Sequence, residues 1–306
     1  MASDNSSKNK LGLWTTTALV VGGMIGSGIF LLPKVLAQYG GVSLFGWVFA
    51  AIGAFILAKV FGYLSKVIPA TGGPYAYSRK GFGDFIGFFV AWGYWLSIWA
   101  TNAAITITFV SYLGVFIPAL QESTSLSLIT GLITIWSLTA LNSYSVKAGG
   151  NAQLITTILK IIPLAVVTIG GLFFIQFVHF TPLNISEISS FKAITISTAL
   201  CLFAFMGLEA ATIPAGNIKN PEKTIPKATM MGTILVTIIY IFSSFSLFGV
   251  LSPIEIANSA SPFAAAASKM WGSNASYLVA AGACISTLGA LNGWIMLQGQ
   301  IPMAMA

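Results

Sequence analysis

Charge is what this chain has least of. Of its 306 residues only 7% are charged, with 14 Lys plus Arg against 7 Asp plus Glu, and it holds one histidine and two cysteines. A soluble domain carries roughly 25% charged residues, so a chain this poor in them cannot cover an aqueous surface. The histidine, His179, lies in a polar connection, and no HExxH, GxSxG or phosphate-cradling glycine motif accompanies it, so an enzyme is not expected. Cys201 and Cys284 sit in apolar runs, where a thiol behaves as a small hydrophobe. No disulfide framework, metal site or other cofactor is expected from them.

What the chain has instead is 56% hydrophobic residues in long runs. Runs of about twenty or more predict about eight spanning helices: Leu11 to Leu36, Leu44 to Val67, Phe85 to Leu120, Leu126 to Leu141, Leu154 to Val178, Ile194 to Ala215, Ala228 to Leu251 and Tyr277 to Ala306. The first run is too long for a signal peptide and carries a polar break, so it is a retained span. Polar stretches are confined to Ile68 to Asp84, His179 to Lys192, Gly216 to Lys227 and Ser252 to Ser276, which leave no room for a soluble domain. Within the last, Ser261-Pro262-Phe263 predicts a short helix with proline in its first turn.

The net charge of +7 does not point to nucleic acid, because the basic residues are scattered between the spans and form no single basic face. They report orientation. A cytoplasmic N-terminus places Lys8, Lys10, Lys66, Arg79, Lys80, Lys147, Lys219, Lys223 and Lys227 inside, with Lys34, Lys192 and Lys269 outside and Lys59 and Lys160 within spans. Short loops rich in Lys and Arg stay cytoplasmic, which favours this orientation.

Two runs are interrupted halfway: the first by Gly26-Ser27-Gly28 and the sixth by Phe205-Met206-Gly207-Leu208-Glu209. Glycine releases the backbone from helical dihedrals, and the freed polar groups survive in hydrocarbon only around a cavity or ligand. Interrupted helices in corresponding places point to a midplane transport site. Breaks in the first and sixth spans imply a repeat of five helices, which, five being odd, must be inverted. The first copy covers about 11–178 after a tail of 1–10. The second, about 194–306, holds only its first three helices, so either the repeat reading is wrong or the chain is a truncated version of a longer transporter, expected to be inactive or poorly folded by itself.

At the first break, amides beside Ser27 at a half-helix terminus suit a carboxylate, although Gly22 and Gly26 also form a close-packing pair. Glu209 is a carboxylate deep in a span, which costs about 2.5–3.5 kcal/mol on insertion scales unless protonated or partnered. It is either a proton carrier or gate, or a structural acceptor for freed backbone. Lys160 lies too deep to snorkel, and either titrates or bonds statically to carbonyls at the first break. Trp294, among the small neighbours Gly289, Ala290 and Gly293, offers an indole face to a substrate. Asn102 either bonds a substrate or joins helices.

GGMIGSGIFLLP in the first span, GGPYAYSRKGFG after the second, FMGLEAATIPAGNIKNPEKTIPKAT around the sixth and LGALNGWIMLQGQ in the eighth together resemble the amino acid-polyamine-organocation superfamily, within it the basic amino acid and polyamine antiporters. The resemblance runs from about Leu11 to the last residue. It implies an all-α, LeuT-like fold of about twelve spans in the bacterial inner membrane, with two inverted repeats and alternating access. It implies a substrate carboxylate at Ser27 and Gly28, an amino group on carbonyls of Met24, Phe203 and Met206, Trp294 stacked on the side chain and Asn102 at its end. Gly26 belongs to the same break, and Tyr94, Phe203 and Glu209 would form gates. In some proton-coupled relatives an amine on the fifth helix corresponds to Lys160.

Phe203, Ala204 and Ile105 depart from the arginine/agmatine exchangers of that branch, where tryptophan, serine and methionine stand. The function expected is secondary transport of an amino acid or amine by proton coupling or exchange. The alternative is a membrane amino-acid sensor that binds without transport. Partners are the substrate, protons and lipid; members of the family form homodimers, through helices beyond those found here.

Overall fold

The computed structural model describes residues 10–144 and 149–305. Among the described residues there is no named strand, only an isolated bridge between Leu11 and Ile218. A backbone in hydrocarbon must satisfy its own hydrogen bonds, which favours helix. Among the described residues, five stretches are long and apolar enough to cross a membrane, Leu13–Val67, Asp84–Leu113, Thr124–Ser143, Pro221–Val250 and Ser273–Met303, beside the shorter apolar helices Thr157–Gly171 and Ser190–Ala204. This is a multi-pass membrane protein.

In chain order the helices are α1 (Leu13–Met24), α2 (Ser27–Leu36), α3 (Leu44–Val67), α4 (Pro74–Phe82), α5 (Asp84–Leu113), α6 (Ala119–Glu122), α7 (Thr124–Tyr144), α8 (Gly149–Gly171), α9 (Ser190–Ala204), α10 (Pro221–Val250), α11 (Pro253–Asn258), α12 (Pro262–Trp271) and α13 (Ser273–Met305). The face holding Lys10 also holds Lys66, Arg79, Lys80, Lys219, Lys223 and Lys227; Lys34, Lys192 and Lys269 sit at the other face. Lys8 and Lys147 lie outside the described residues.

At 1.5 Å per residue, α5 and α10, 30 residues each, reach about 45 Å and must tilt in a core of about 30 Å. α9, with 15 residues, reaches only about 22 Å. The sixth span therefore differs from the expected run to Ala215: after Ala204 the chain crosses as turns and two short 3-10 segments, Ala210–Thr212 and Ala215–Asn217. That irregular backbone is tolerated because residues 204–215 are almost entirely buried inside the protein.

The third helix stops at Leu113 and not at Leu120, and the fifth at Gly171 and not at Val178. The stretch from Ile68 to Asp84, expected as a polar loop, contains α4, which starts at a proline after Gly72 (φ 112°) and Gly73 (φ 52°) and stops at Gly83 (φ 88°). The helix beginning at Pro262 forms as expected.

Helices meet through small residues because lipid tails give them no hydrophobic drive to associate. A Cβ on Gly46 would lie 2.6 Å from Ser197 Cβ, one on Gly232 2.7 Å from Val20 and one on Gly282 2.4 Å from Pro163. These contacts join α3 to α9, α10 to α1 and α13 to α8. Outward faces carry Phe45, Phe49, Ile56, Leu128, Ile133 and Trp136, all exposed to where acyl chains would lie.

Gly46→Ala should force α3 from α9 and cost about 1–3 kcal/mol. Gly93→Ala, on α5 with nothing within 4 Å of the added methyl, should be neutral or stabilise by about 1 kcal/mol. Thermal unfolding of the purified protein in detergent checks the pair, and equal midpoints would contradict the packing described.

Candidate functional site

α1 ends at Met24, Ile25 and Gly26 leave helical geometry (ψ 95° and φ −140°, ψ −126°), and α2 begins at Ser27 with no side-chain cap. The carbonyls of the last turn of α1 thereby lose the amides that would have come from the next turn. Each finds a donor on a different helix. Lys160 Nζ on α8 donates to the Gly22 oxygen at 3.0 Å, and Trp294 Nε1 on α13 donates to Gly23 at 3.3 Å. The Tyr240 hydroxyl on α10 donates to Met24 at 2.6 Å.

That hydroxyl also lies 3.1 Å from the Ala204 carbonyl, the last of α9, so one O–H faces both breaks. Tyr240 is completely buried, its ring 5.1 Å from Trp47 and 5.5 Å from Phe205.

The two breaks touch backbone to backbone. Gly207 has φ 103°, a left-handed conformation that glycine adopts without strain, and a Cβ there would lie 2.5 Å from the Gly23 carbonyl carbon. A Cβ on Gly28 would lie 2.7 Å from Ala204 Cβ. Beside this crossing Glu209 accepts from the Tyr94 hydroxyl at 2.6 Å on Oε1 and from the Gly207 amide at 3.1 Å on Oε2. Its described partners are neutral donors.

The breaks enclose a cleft lined by Gly23, Met24, Gly26, Ser27, Gly28, Phe203, Ala204, Met206 and Trp294, with Thr101 and Ile105 from α5. Its interior is about 10 Å³, room for roughly one water. Seven residues singled out from the sequence as substrate contacts are thus brought together: Met24, Gly26, Ser27, Gly28, Phe203, Met206 and Trp294. Asn102 is not in the lining. Its Nδ2 donates to Gln298 Oε1 at 2.7 Å.

Tyr94 borders instead a cavity of about 310 Å³ on the Lys10 side, shared with Thr71, Tyr75, Pro214, Asn217 and Ile301. Lys160 reaches the first break from outside the cleft lining.

The sequence reading missed Tyr240 and Thr101. Tyr240 lies in the apolar run Thr237-Ile238-Ile239-Tyr240-Ile241-Phe242, where tyrosine reads as packing. Its acceptors are 216 and 36 positions away, so no local spacing marks it.

The amino acid permease model matches residues 11–306. The chain belongs to the amino acid permease family. It is 37% identical over 296 residues to the cadaverine/lysine antiporter of Escherichia coli (strain K12), covering 96% of this chain and 66% of that protein. It is 33% identical over 316 residues to the arginine/ornithine antiporter of Pseudomonas aeruginosa, covering 100% of this chain and 65% of that protein. It is 33% identical over 314 residues to the serine/threonine exchanger SteT of Bacillus subtilis, covering 99% of this chain and 69% of that protein. The permease chain therefore spans about two thirds of the length of these curated relatives. All three relatives are exchangers or antiporters by name, yet the side chains their names imply differ, being cationic in two and hydroxylated in the third.

Tyr240→Phe keeps the ring and removes the proton shared by Met24 and Ala204, leaving a buried carbonyl without its donor at a cost of about 1–3 kcal/mol. A lowered unfolding midpoint with unchanged helix content is expected. An unchanged midpoint would show that another group takes over both carbonyls.

Proposed function

We propose that this permease chain binds an amino acid or a related amine at the paired breaks and moves it across the bacterial inner membrane by exchange or proton coupling, with the N-terminus cytoplasmic. The observation that carries the reading is the junction between α1 and α2. The carbonyl end of one half-helix and the uncapped amide end of the other face one cleft, and the two helix dipoles present negative and positive ends there. An α-amino acid carries both complementary charges. Its carboxylate would take the amides of Ser27 and Gly28, and its ammonium the carbonyls of Met24, Phe203 and Met206.

The contracted cleft beside the larger cavity on the Lys10 side supports alternating access. Trp294 forms one wall of the cleft, and the Tyr94–Glu209 hydrogen bond would act as a gate toward that cavity. Opening must separate backbones that touch at Gly23 and Gly207, so substrate entry is coupled to relative motion of the first and sixth spans. Lys160, held on the Gly22 carbonyl, would link its proton to the same motion. The two-repeat division at about 178–194 fits this reading, as does exchange in the named relatives.

A panel of amino acids and diamines in a thermal-shift assay should give saturable stabilisation by at least one compound, followed by counterflow of that compound in proteoliposomes. Saturable stabilisation without flux in either direction would favour the sensor reading. No response to any compound would overturn substrate binding.

Glu209→Gln keeps the Tyr94 contact in shape but removes the titratable oxygen. The pH dependence of counterflow should flatten between about pH 5 and 8 if Glu209 carries or senses the proton. A pH profile identical to that of the parent would reduce Glu209 to an acceptor for Tyr94 and Gly207.

A further inference from the structure

Away from the paired breaks, the connection between α3 and α5 forms an open groove of about 690 Å³ at the Lys10 face, lined by Pro69, Thr71, Tyr75, Arg79, Lys80 and Asp84 among others. Its frame is held at both ends. The Gly72 amide donates to the Ile213 carbonyl at 3.0 Å, which pins the start of α4 to the sixth span. At the other end Gly83 (φ 88°) turns the chain back, and α4 lies so close to α5 that a Cβ on Gly87 would sit 2.7 Å from Arg79 Cβ.

Arg79 is held in one pose and only partly used. Its Nε donates to Asp84 Oδ1 at 2.5 Å and its Nη1 to the Tyr75 hydroxyl at 3.1 Å, while Cζ lies 5.9 Å from the centre of the Tyr75 ring. A guanidinium has five N–H groups. Three of them, both on Nη2 and one on Nη1, have no partner among the described residues, and together they present the planar fork that grips a phosphate by two bonds. Lys80 lies next to it and forms no ion pair among the described residues.

The surroundings select what carries the phosphate. Phe82, three residues after Arg79 on α4, is 76% exposed, and Phe85, the residue after Asp84, is 78% exposed. In a membrane protein, bare rings beside basic residues sit where headgroups meet acyl chains. A soluble anion would leave those rings uncovered, whereas the glycerol and acyl chains of a lipid would cover them. Among the described residues this face carries seven basic side chains against two acidic ones, Asp84 and Glu222, which favours a headgroup of net negative charge.

We infer that the α4 corner is a binding site for an anionic phospholipid of the leaflet on the Lys10 side, with the phosphate on the Arg79 fork, Lys80 beside it and the acyl chains along Phe82 and Phe85. The site does not depend on what the cleft between the breaks binds. Diffuse attraction to the same positive face needs no fork, and substitutions separate the two.

Native mass spectrometry of the purified full chain, titrated with phosphatidylglycerol or phosphatidylcholine, should show at least about fivefold tighter binding of the anionic lipid. Arg79→Gln should weaken phosphatidylglycerol binding about tenfold, and Arg79→Lys, which keeps the charge but not the fork, at least about threefold. The lysine variant serves where the glutamine variant does not fold. Lys227→Gln removes one charge from the same face on α10 and should change the affinity by less than about twofold. Glycerophosphoglycerol, the headgroup without acyl chains, should bind at least about tenfold more weakly than the lipid.

Equal affinity for the two lipids would overturn the inference. So would a loss from Lys227→Gln equal to that from Arg79→Gln, or an Arg79→Lys variant that binds like the parent, since either marks a diffuse field. Binding of glycerophosphoglycerol as tight as that of the whole lipid would overturn it in favour of a site for a soluble phosphate.

Discussion

The arrangement around the first break follows from one constraint: a carbonyl that loses its helical partner inside a membrane must find another donor. Breaking the first span after Met24 releases the Gly22, Gly23 and Met24 oxygens, and the fold answers with Lys160, Trp294 and Tyr240 from three separate helices. Those side chains hold α8, α13 and α10 against α1. The break is therefore also the hub that organises the surrounding bundle, and its residues are buried for the same reason that they are available.

Donors supplied by side chains can be exchanged in a way that intrahelical bonds cannot. A helical carbonyl gives up its partner only by unwinding, whereas Tyr240 can pass its proton from Met24 to Ala204 over a difference of 2.6 against 3.1 Å. The glycines at 23, 28 and 207 remove the side chains that would lock the two breaks together or hold them apart. What meets at the crossing is backbone and the small side chains of Ala204 and Ala210, which have little to interdigitate. Trp47 and Phe205 pack instead around the Tyr240 ring, which leaves the hydroxyl end as the adjustable part.

The spans and both breaks were legible because hydrocarbon tolerates so few exceptions that Gly-Ser-Gly and a mid-span Glu209 stand out by type alone. The α4 helix was not legible, since Pro, Gly and Tyr in Ile68 to Asp84 read as turn chemistry, while the helix starts only after Gly72 and Gly73 have redirected the chain. The loss of helix after Ala204 was foreshadowed by Gly207, but not its extent. Whether a chain resumes α or 3-10 geometry depends on which burial partners it meets, and here they come from α1 and α10. Asn102 could be recognised as a polar residue in a span, yet its engagement by Gln298 depends on a contact 196 positions away.

The two half-helix ends at the first break are served unequally, and this bears on which part of a substrate matters most. The negative end of α1 has an amine, an indole and a phenol as donors. The positive end of α2 begins at Ser27 with no side-chain cap, although capping by Asp, Ser or Asn is the ordinary remedy and contributes about 1 kcal/mol. On the proposed reading a carboxylate arriving there adds an interaction the protein does not make for itself, whereas an ammonium at α1 must compete with donors already in place. Binding energy on that reading comes mainly from the carboxylate, and a diamine, which has none, must recover the difference through its other contacts in the cleft.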